Sequence, residues 1–214
     1  MPERLRIEGP AGSLEAALAQ PGHGDTVDVV AVVCHPHPLY GGTMDNKVVT
    51  TLARCCAEAG QAVLRFNFRG VGASEGHFDE GEGETQDAIA VLDWALARTA
   101  ARHHVLMGFS FGGMVAVKAA MLRRPVQLVT VAPALQPLGG SQAPQPGCPW
   151  LLIHGRDDDV VDCDDTVARV QGLLPPVDLH LLDGVGHFYH GRLGSLREIV
   201  TPVLCALSSE LAAG

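Results

Sequence analysis

Gly108-Phe109-Ser110-Phe111-Gly112 directly follows an apolar run, His104-Val105-Leu106-Met107, and opens onto a segment of helical composition, Met114 to Leu122. Strand, G-x-S-x-G turn and helix, in that order, make a nucleophile elbow. The turn is tight, so the residues flanking the serine must be small. Gly108 and Gly112 meet that need and Gly113 adds slack. Such a turn pushes the Ser110 hydroxyl out at the carboxyl end of a strand. It also aims the N–H of Phe111, at a helix N-terminus, at the spot where an oxyanion would form. In a chain with 25 glycines the bare pattern is weak. The strand before it and the helix after it give it weight.

A serine hydroxyl is a poor nucleophile until a base, itself oriented by an acid, stands within hydrogen-bond reach. Cys148 to Gly155 reads as an apolar strand ending in a glycine turn, and Asp157, Asp158 and Asp159 follow at once. Val177 to Leu182 reads as a further strand, ending in Asp183-Gly184-Val185-Gly186-His187-Phe188. Serine, acid and histidine thus each sit just past a strand end. His187 is the expected base. His190 is its competitor and is read as capping or starting the last helix. His35, His37, His103, His104, His154 and His180 lie on or beside strands and are expected to be packed or hydrogen-bonded. The acidic run through Asp162, Asp164 and Asp165 lacks the Gly and Glu positions of a calcium loop, and Asp164 is expected to cap the next helix.

The bulk composition bounds the rest. A chain of 214 residues, 47% hydrophobic and 18% charged, is expected to form one domain over residues 1–214 with a substantial core. A net charge of −9 without a basic run argues against a nucleic-acid partner. No apolar stretch is long enough for a membrane span and no secretory signal is visible, so a cytoplasmic protein without a membrane partner is expected. The six cysteines show neither metal-ligand spacing nor a secreted framework, and are read as buried thiols. No metal and no cofactor are expected. The sequence leaves the oligomeric state open.

Along the chain, Arg4–Glu8 and Ser13–Leu18 read as an opening hairpin, and Val27–Cys34 and Gln61–Phe68 as strands. Asp45–Ala59 and Glu84–Thr99 show helical spacing. Val126–Val131 is a strand, Asp164–Leu173 and Arg192–Leu211 are helices, and Pro202 is expected to kink the last. This alternation predicts an α/β fold: a mostly parallel sheet with helices on both faces.

The first loop reads His35-Pro36-His37-Pro38-Leu39-Tyr40-Gly41-Gly42-Thr43-Met44, and a later one Phe66-Asn67-Phe68-Arg69-Gly70-Val71-Gly72-Ala73-Ser74. With the serine elbow and Gly186-His187-Phe188, these motifs resemble the α/β-hydrolase superfamily over nearly the whole chain, and more narrowly its small, lidless bacterial serine hydrolases. The resemblance implies an eight-stranded sheet with one antiparallel strand, and a Ser110–Asp158–His187 triad. The superfamily's H-G-x-x-D pattern puts the acid at Asp158, with Asp157 and Asp159 one step away. The second oxyanion donor, beside Phe111, is narrowed to His37, Leu39 or Tyr40, because Pro36 and Pro38 have no N–H. If His35-Pro36 replaces the superfamily's His-Gly, the donor is His37. Leu39 and Tyr40 are candidates for the pocket wall, and Arg69 is read as a structural clamp. A cap is commonly inserted after the strand that follows the nucleophile helix. Pro133 to Gly147 is read as a loop too short for one, with Glu75 to Glu84 the other place for site walls.

The expected activity is cleavage of a small carboxylic ester or thioester through an acyl-enzyme, with a small acyl compound as partner. A peptidase or an acyltransferase would use the same residues. A non-catalytic hydrolase-fold binding module is the reading from another class, and such proteins typically lose one of the three.

Overall fold

The computed structural model describes residues 2–21, 27–136 and 145–213. Eight strands form one sheet: β1 (Glu3–Gly9), β2 (Gly12–Ala19), β3 (Val29–Cys34), β4 (Ala62–Phe66), β5 (His103–Phe109), β6 (Gln127–Val131), β7 (Trp150–Gly155) and β8 (Asp178–Leu182). Their order across the sheet is β1-β2-β4-β3-β5-β6-β7-β8. β2 pairs antiparallel with β1 and with β4, and every other neighbouring pair is parallel. One strand therefore runs against the other seven. The helices are α1 (Lys47–Glu58), α2 (Glu82–Thr99), α3 (Phe111–Leu122), α4 (Cys163–Val170) and α5 (Leu193–Ala213).

Central strands covered on both faces need apolar residues at every position, and β3, Val29-Val30-Ala31-Val32-Val33-Cys34, is buried throughout. Successive side chains alternate between faces. Val30, Val32 and Cys34 pack with Val91 and Leu92 of α2 and Val115 of α3. Val29, Ala31 and Val33 pack with Val49 and Leu52 of α1 and Leu196 and Val200 of α5. The sheet is thus a wall between two apolar cores. No cap domain sits over it among the described residues. Part of the loop expected at Pro133 to Gly147, residues 137–144, lies outside those described.

Element ends differ from expectation where polar side chains take over the backbone. β4 stops at Phe66 rather than Phe68: the Asn67 N–H still meets the β2 backbone at the Glu15 carbonyl, but the Phe68 N–H turns to the His35 ring. α2 begins two residues early. Glu84 reaches back to accept from the N–H groups of Asp79 and Gly81 at 2.9 and 2.8 Å, which satisfies donors that a helix start leaves orphaned. α4 is capped by Asp162, whose carboxylate accepts from the Asp165 N–H at 2.7 Å, not by Asp164, which lies inside the first turn. α5 continues through Pro202. His190 lies in the turn ahead of α5 rather than in the helix, exposed and stacked on Phe188. Arg69 clamps its loop to α2, its Nε and Nη2 donating to the Asp87 carboxylate at 3.0 and 2.7 Å.

Candidate active site

Three strand ends converge. β5 ends at Phe109, and Ser110 turns the chain into α3 with φ 56° and ψ −121°. That conformation is the mirror image of an ordinary extended one and is strained for any residue with a Cβ. It is held from all sides. A Cβ on Gly108 would stand 2.0 Å from the Gly112 carbonyl oxygen, and one on Gly113 2.9 Å from Pro133. The elbow therefore admits no larger residue at those positions.

The Ser110 hydroxyl lies 3.0 Å from Nε2 of His187, and Nδ1 of His187 lies 2.8 Å from Oδ2 of Asp158. With Nδ1–H donated to the carboxylate, the Nε2 lone pair faces the hydroxyl. His187 arrives on the turn after β8. Its neighbour Val185 crosses β7 so closely that a Cβ on Gly155 would meet the Val185 carbonyl oxygen at 2.1 Å. Asp158 arrives on the turn after β7. Its side chain is fully buried, whereas Asp157 and Asp159 are exposed. Oδ1 of Asp158 accepts from the N–H groups of Val160 and Val161 at 2.9 and 2.8 Å. Burial works to raise this carboxyl, but hydrogen bonds from His154, His187, Val161 and Val160 outweigh it and hold the group well below the usual carboxylate range.

The first loop faces the elbow. Phe111 opens α3, where an N–H has no carbonyl within its own helix to bond. Of the three candidate N–H groups in the first loop, that of Leu39 donates to the His37 ring at 3.2 Å and that of Tyr40 to the His37 carbonyl at 3.1 Å. The His37 N–H has no such partner among the described residues, and its orientation is set from behind. The buried ring of His35 lies with Nδ1 2.6 Å from the Pro36 carbonyl oxygen and accepts from the Phe68 N–H at Nε2. A trans peptide points its N–H opposite its carbonyl, so fixing the Pro36 carbonyl also aims the His37 N–H. Burial drives His35 down to about 4, and it is neutral.

A cleft of about 490 Å³ opens over Ser110 and His187, lined also by Pro36, His37, Tyr40, Asn46, Val160 and Phe188. Leu39 is not part of its wall. Both side chains of the single 3-10 turn Pro38–Tyr40 that follow Pro38 are exposed, Leu39 at 67% and Tyr40 at 87%, and only Tyr40 borders the cleft, at its rim. Phe78, from the Glu75 to Glu84 loop, packs against the rings of His37 and Phe111 behind that wall. That Val160 and Phe188 belong to the wall is not legible in the sequence, since irregular loops carry no periodicity to reveal facing.

Among the described residues no group of three or more His, Cys, Asp or Glu side chains is placed to hold a metal ion. Five cysteines are buried and Cys205 half-buried, none of them in a disulfide. No described helix is long and apolar enough to cross a membrane.

Residues 12–143 match the family model described as X-Pro dipeptidyl-peptidase (S15 family). An uncharacterised protein of Rickettsia prowazekii is 32% identical over 220 residues, spanning 98% of this chain and 91% of that protein. Among solved structures, an alpha-beta serine hydrolase homologue from Coxiella burnetii is 42% identical with a TM-score of 0.87, covering 94% of this chain and 97% of that one. An α/β serine hydrolase without a lid from Xanthomonas campestris is 38% identical with a TM-score of 0.85, covering 93% and 91%.

Proposed function

The chain belongs to the α/β-hydrolase superfamily, in its group of small bacterial serine hydrolases without a lid, and we propose that it cleaves a small, uncharged carboxylic ester or thioester through an acyl-enzyme on Ser110. The observation that carries this reading is a relay of 3.0 and 2.8 Å contacts opening into a cleft with no charged side chain in its described lining.

His187 takes the Ser110 proton at Nε2 as Oγ attacks the acyl carbon. The N–H groups of Phe111 and His37 receive the oxyanion. Collapse expels the alcohol or thiol, protonated by His187. Water, deprotonated in turn by His187, attacks the acyl-enzyme, and release of the acid restores the serine. Asp158 holds the imidazole in the Nδ1–H tautomer and stabilises its cation, without taking the proton.

The S15 match raises a peptidase that removes dipeptides from a free N-terminus. Such an enzyme needs a carboxylate for the substrate ammonium, and the cleft lining supplies none. Glu84, whose charge reaches His37, already engages both oxygens with Asp79 and Gly81. This favours ester over peptide.

A fluorophosphonate probe, which labels only an activated serine, followed by p-nitrophenyl esters of graded chain length with thioester and aminoacyl-proline controls, tests the proposal. Labelling at Ser110 and turnover of short neutral esters are expected. An unlabelled protein, or preferential cleavage of aminoacyl-proline amides, would refute it.

A further inference from the structure

Asp158 is shared by two histidines. His154, at the end of β7, is fully buried, and its Nε2 lies 3.3 Å from Oδ2 of Asp158 and 3.1 Å from the Val161 carbonyl oxygen. Its Nδ1 is buried and has no partner among the described residues. These positions settle where its ring proton sits. A proton on Nδ1 would be buried without an acceptor and would leave a lone pair facing two acceptors at Nε2. The ring proton of His154 therefore sits on Nε2, between the carboxylate and the carbonyl.

The Asp158 carboxylate thus accepts from the Val160 and Val161 N–H groups on Oδ1 and from the His187 ring on Oδ2, while the His154 Nε2–H, bonded to the Val161 carbonyl, stands 3.3 Å from Oδ2 as a longer, secondary partner. We propose that His154 is a positioning residue of the relay, its Nε2–H holding Oδ2 of Asp158 on line with His187 while drawing off part of the carboxylate's charge. This rests on the reading of Ser110, His187 and Asp158 as the catalytic relay.

Two effects follow from that N–H. It closes the acid turn, because the same proton ties Asp158 and the Val161 carbonyl, and Val161 in turn donates to Asp158. It also sets how strongly the carboxylate pairs with the imidazolium formed in each half-reaction. A carboxylate with one donor fewer pairs harder. The base then keeps its proton to higher pH and gives it up to the leaving group less readily. Of the other ionisable groups near Asp158, Arg156, Asp157, Asp159 and Asp162 are exposed and screened by solvent, and the two buried ones supply no charge at neutral pH. Tyr189, whose hydroxyl donates to the Ile153 carbonyl, and Cys163, which opens α4, are both pushed up by burial. His154 is absent from the cleft lining, so its loss bears on kcat rather than on substrate binding.

The test compares His154→Phe, which keeps bulk and removes the donor, with His154→Gln, whose amide N–H reaches the Nε2 position. Thermal unfolding establishes that each variant folds. If the Phe variant does not, His154→Met replaces it, since Met and Gln are close in shape and differ in the donor. We expect the donorless variant to lose roughly 10- to 100-fold in kcat and in the rate of fluorophosphonate labelling, with KM unchanged. The acid limb of its pH profile should move up by about half a unit. Gln should recover most of the loss, and in an Asp158→Asn background the donorless change should cost less than about two-fold more. An unaltered rate and acid limb would overturn the proposal. So would equal losses in both variants, or the full loss repeated without the Asp158 carboxylate. A wild-type protein that the probe does not label would instead overturn the hydrolase reading, and this inference with it.

Discussion

A Cβ on Gly112 would stand 2.3 Å from the carbonyl oxygen of His35. The elbow and the end of β3 are in backbone contact there, and that contact sets the spacing between the Phe111 and His37 N–H groups. Neither side can yield. His35 is held by Pro36 and Phe68, and the elbow by Pro133. Gly112→Ala should therefore cost about 2–4 kcal/mol in urea unfolding. It should also lower kcat by at least about 100-fold, since a displacement of about 1 Å in an oriented site has that effect. A stable, active Ala variant would show that the two segments can part without consequence.

Ser110 separates catalysis from strain. At φ 56° and ψ −121° a side chain is disfavoured, whereas glycine adopts that conformation freely. Ser110→Ala should lose about 10⁴- to 10⁶-fold in kcat with the strain retained. Ser110→Gly should be equally inactive yet more stable than the Ala variant by about 1–3 kcal/mol, the usual cost of such a backbone. Equal melting temperatures for the two would show that the elbow holds no strain.

The three consecutive aspartates differ sharply in environment. The Asp158 side chain is buried and accepts from Val160, Val161 and His187, and Asp157 and Asp159 are exposed. Asp158→Asn should leave His187 in the wrong tautomer and cost about 10³- to 10⁴-fold in kcat. Asp157→Asn and Asp159→Asn should stay within about two-fold of wild type. A large loss at Asp159 would place the acid one residue later in the turn.

What could be read from the sequence, and what could not, divides along a physical line. Strands covered on both faces are continuous apolar runs, so β3 and β7 stand out, with a proline-rich turn after the first and a glycine turn closing the second. Ser110 and Asp158 lie just past the ends of β5 and β7, and His187 in the glycine-containing turn after the less buried β8. The cleft wall does not follow any strand. Leu39 and Tyr40 share one 3-10 turn and are both exposed, yet only Tyr40 borders the cleft, and Val160 and Phe188 reach it from irregular loops. The tie between His154 and Asp158 needs a turn that folds back on its own strand, which no spacing rule predicts. The acidic run offered several carboxylates within reach of one helix start, and composition alone could not choose Asp162 over Asp164.

Stability should fall on mild acidification because of a buried histidine. His35 is held neutral at about 4 by burial, against about 6.5 in an unfolded chain. Above pH 6.5 neither state binds the proton, and the full contribution is present. Between roughly 6.5 and 4 the unfolded chain takes the proton first, and about 3 kcal/mol is lost. His104, also lowered by burial, acts in the same direction. Melting temperatures at pH 7 and pH 4.5 should therefore differ by several degrees. His35→Asn keeps a donor for the Pro36 carbonyl and no longer titrates, so it should narrow the gap while lowering stability at pH 7. An undiminished gap would assign the acid sensitivity elsewhere.

The cleft should select for neutral, compact acyl groups, and the kinetics should show it. Its described wall combines exposed apolar side chains, Tyr40 at 87%, Val160 at 59% and Phe188 at 56% exposure, with no cap domain above them among the described residues. A lid ordinarily hides such a surface until it meets an oil–water interface or closes on substrate. With the wall already open, dissolved short-chain esters should reach Ser110 directly and show saturation below their solubility limit. Emulsified long-chain triglycerides should be poor substrates, because a deep acyl tunnel needs walls on all sides. Phe188→Ala should raise KM several-fold, since its exposed ring lines the cleft, and lower kcat modestly, since that ring also packs edge-on against His187. A jump in rate at the solubility limit, or a preference for long chains, would mean that a mobile cover closes over the site.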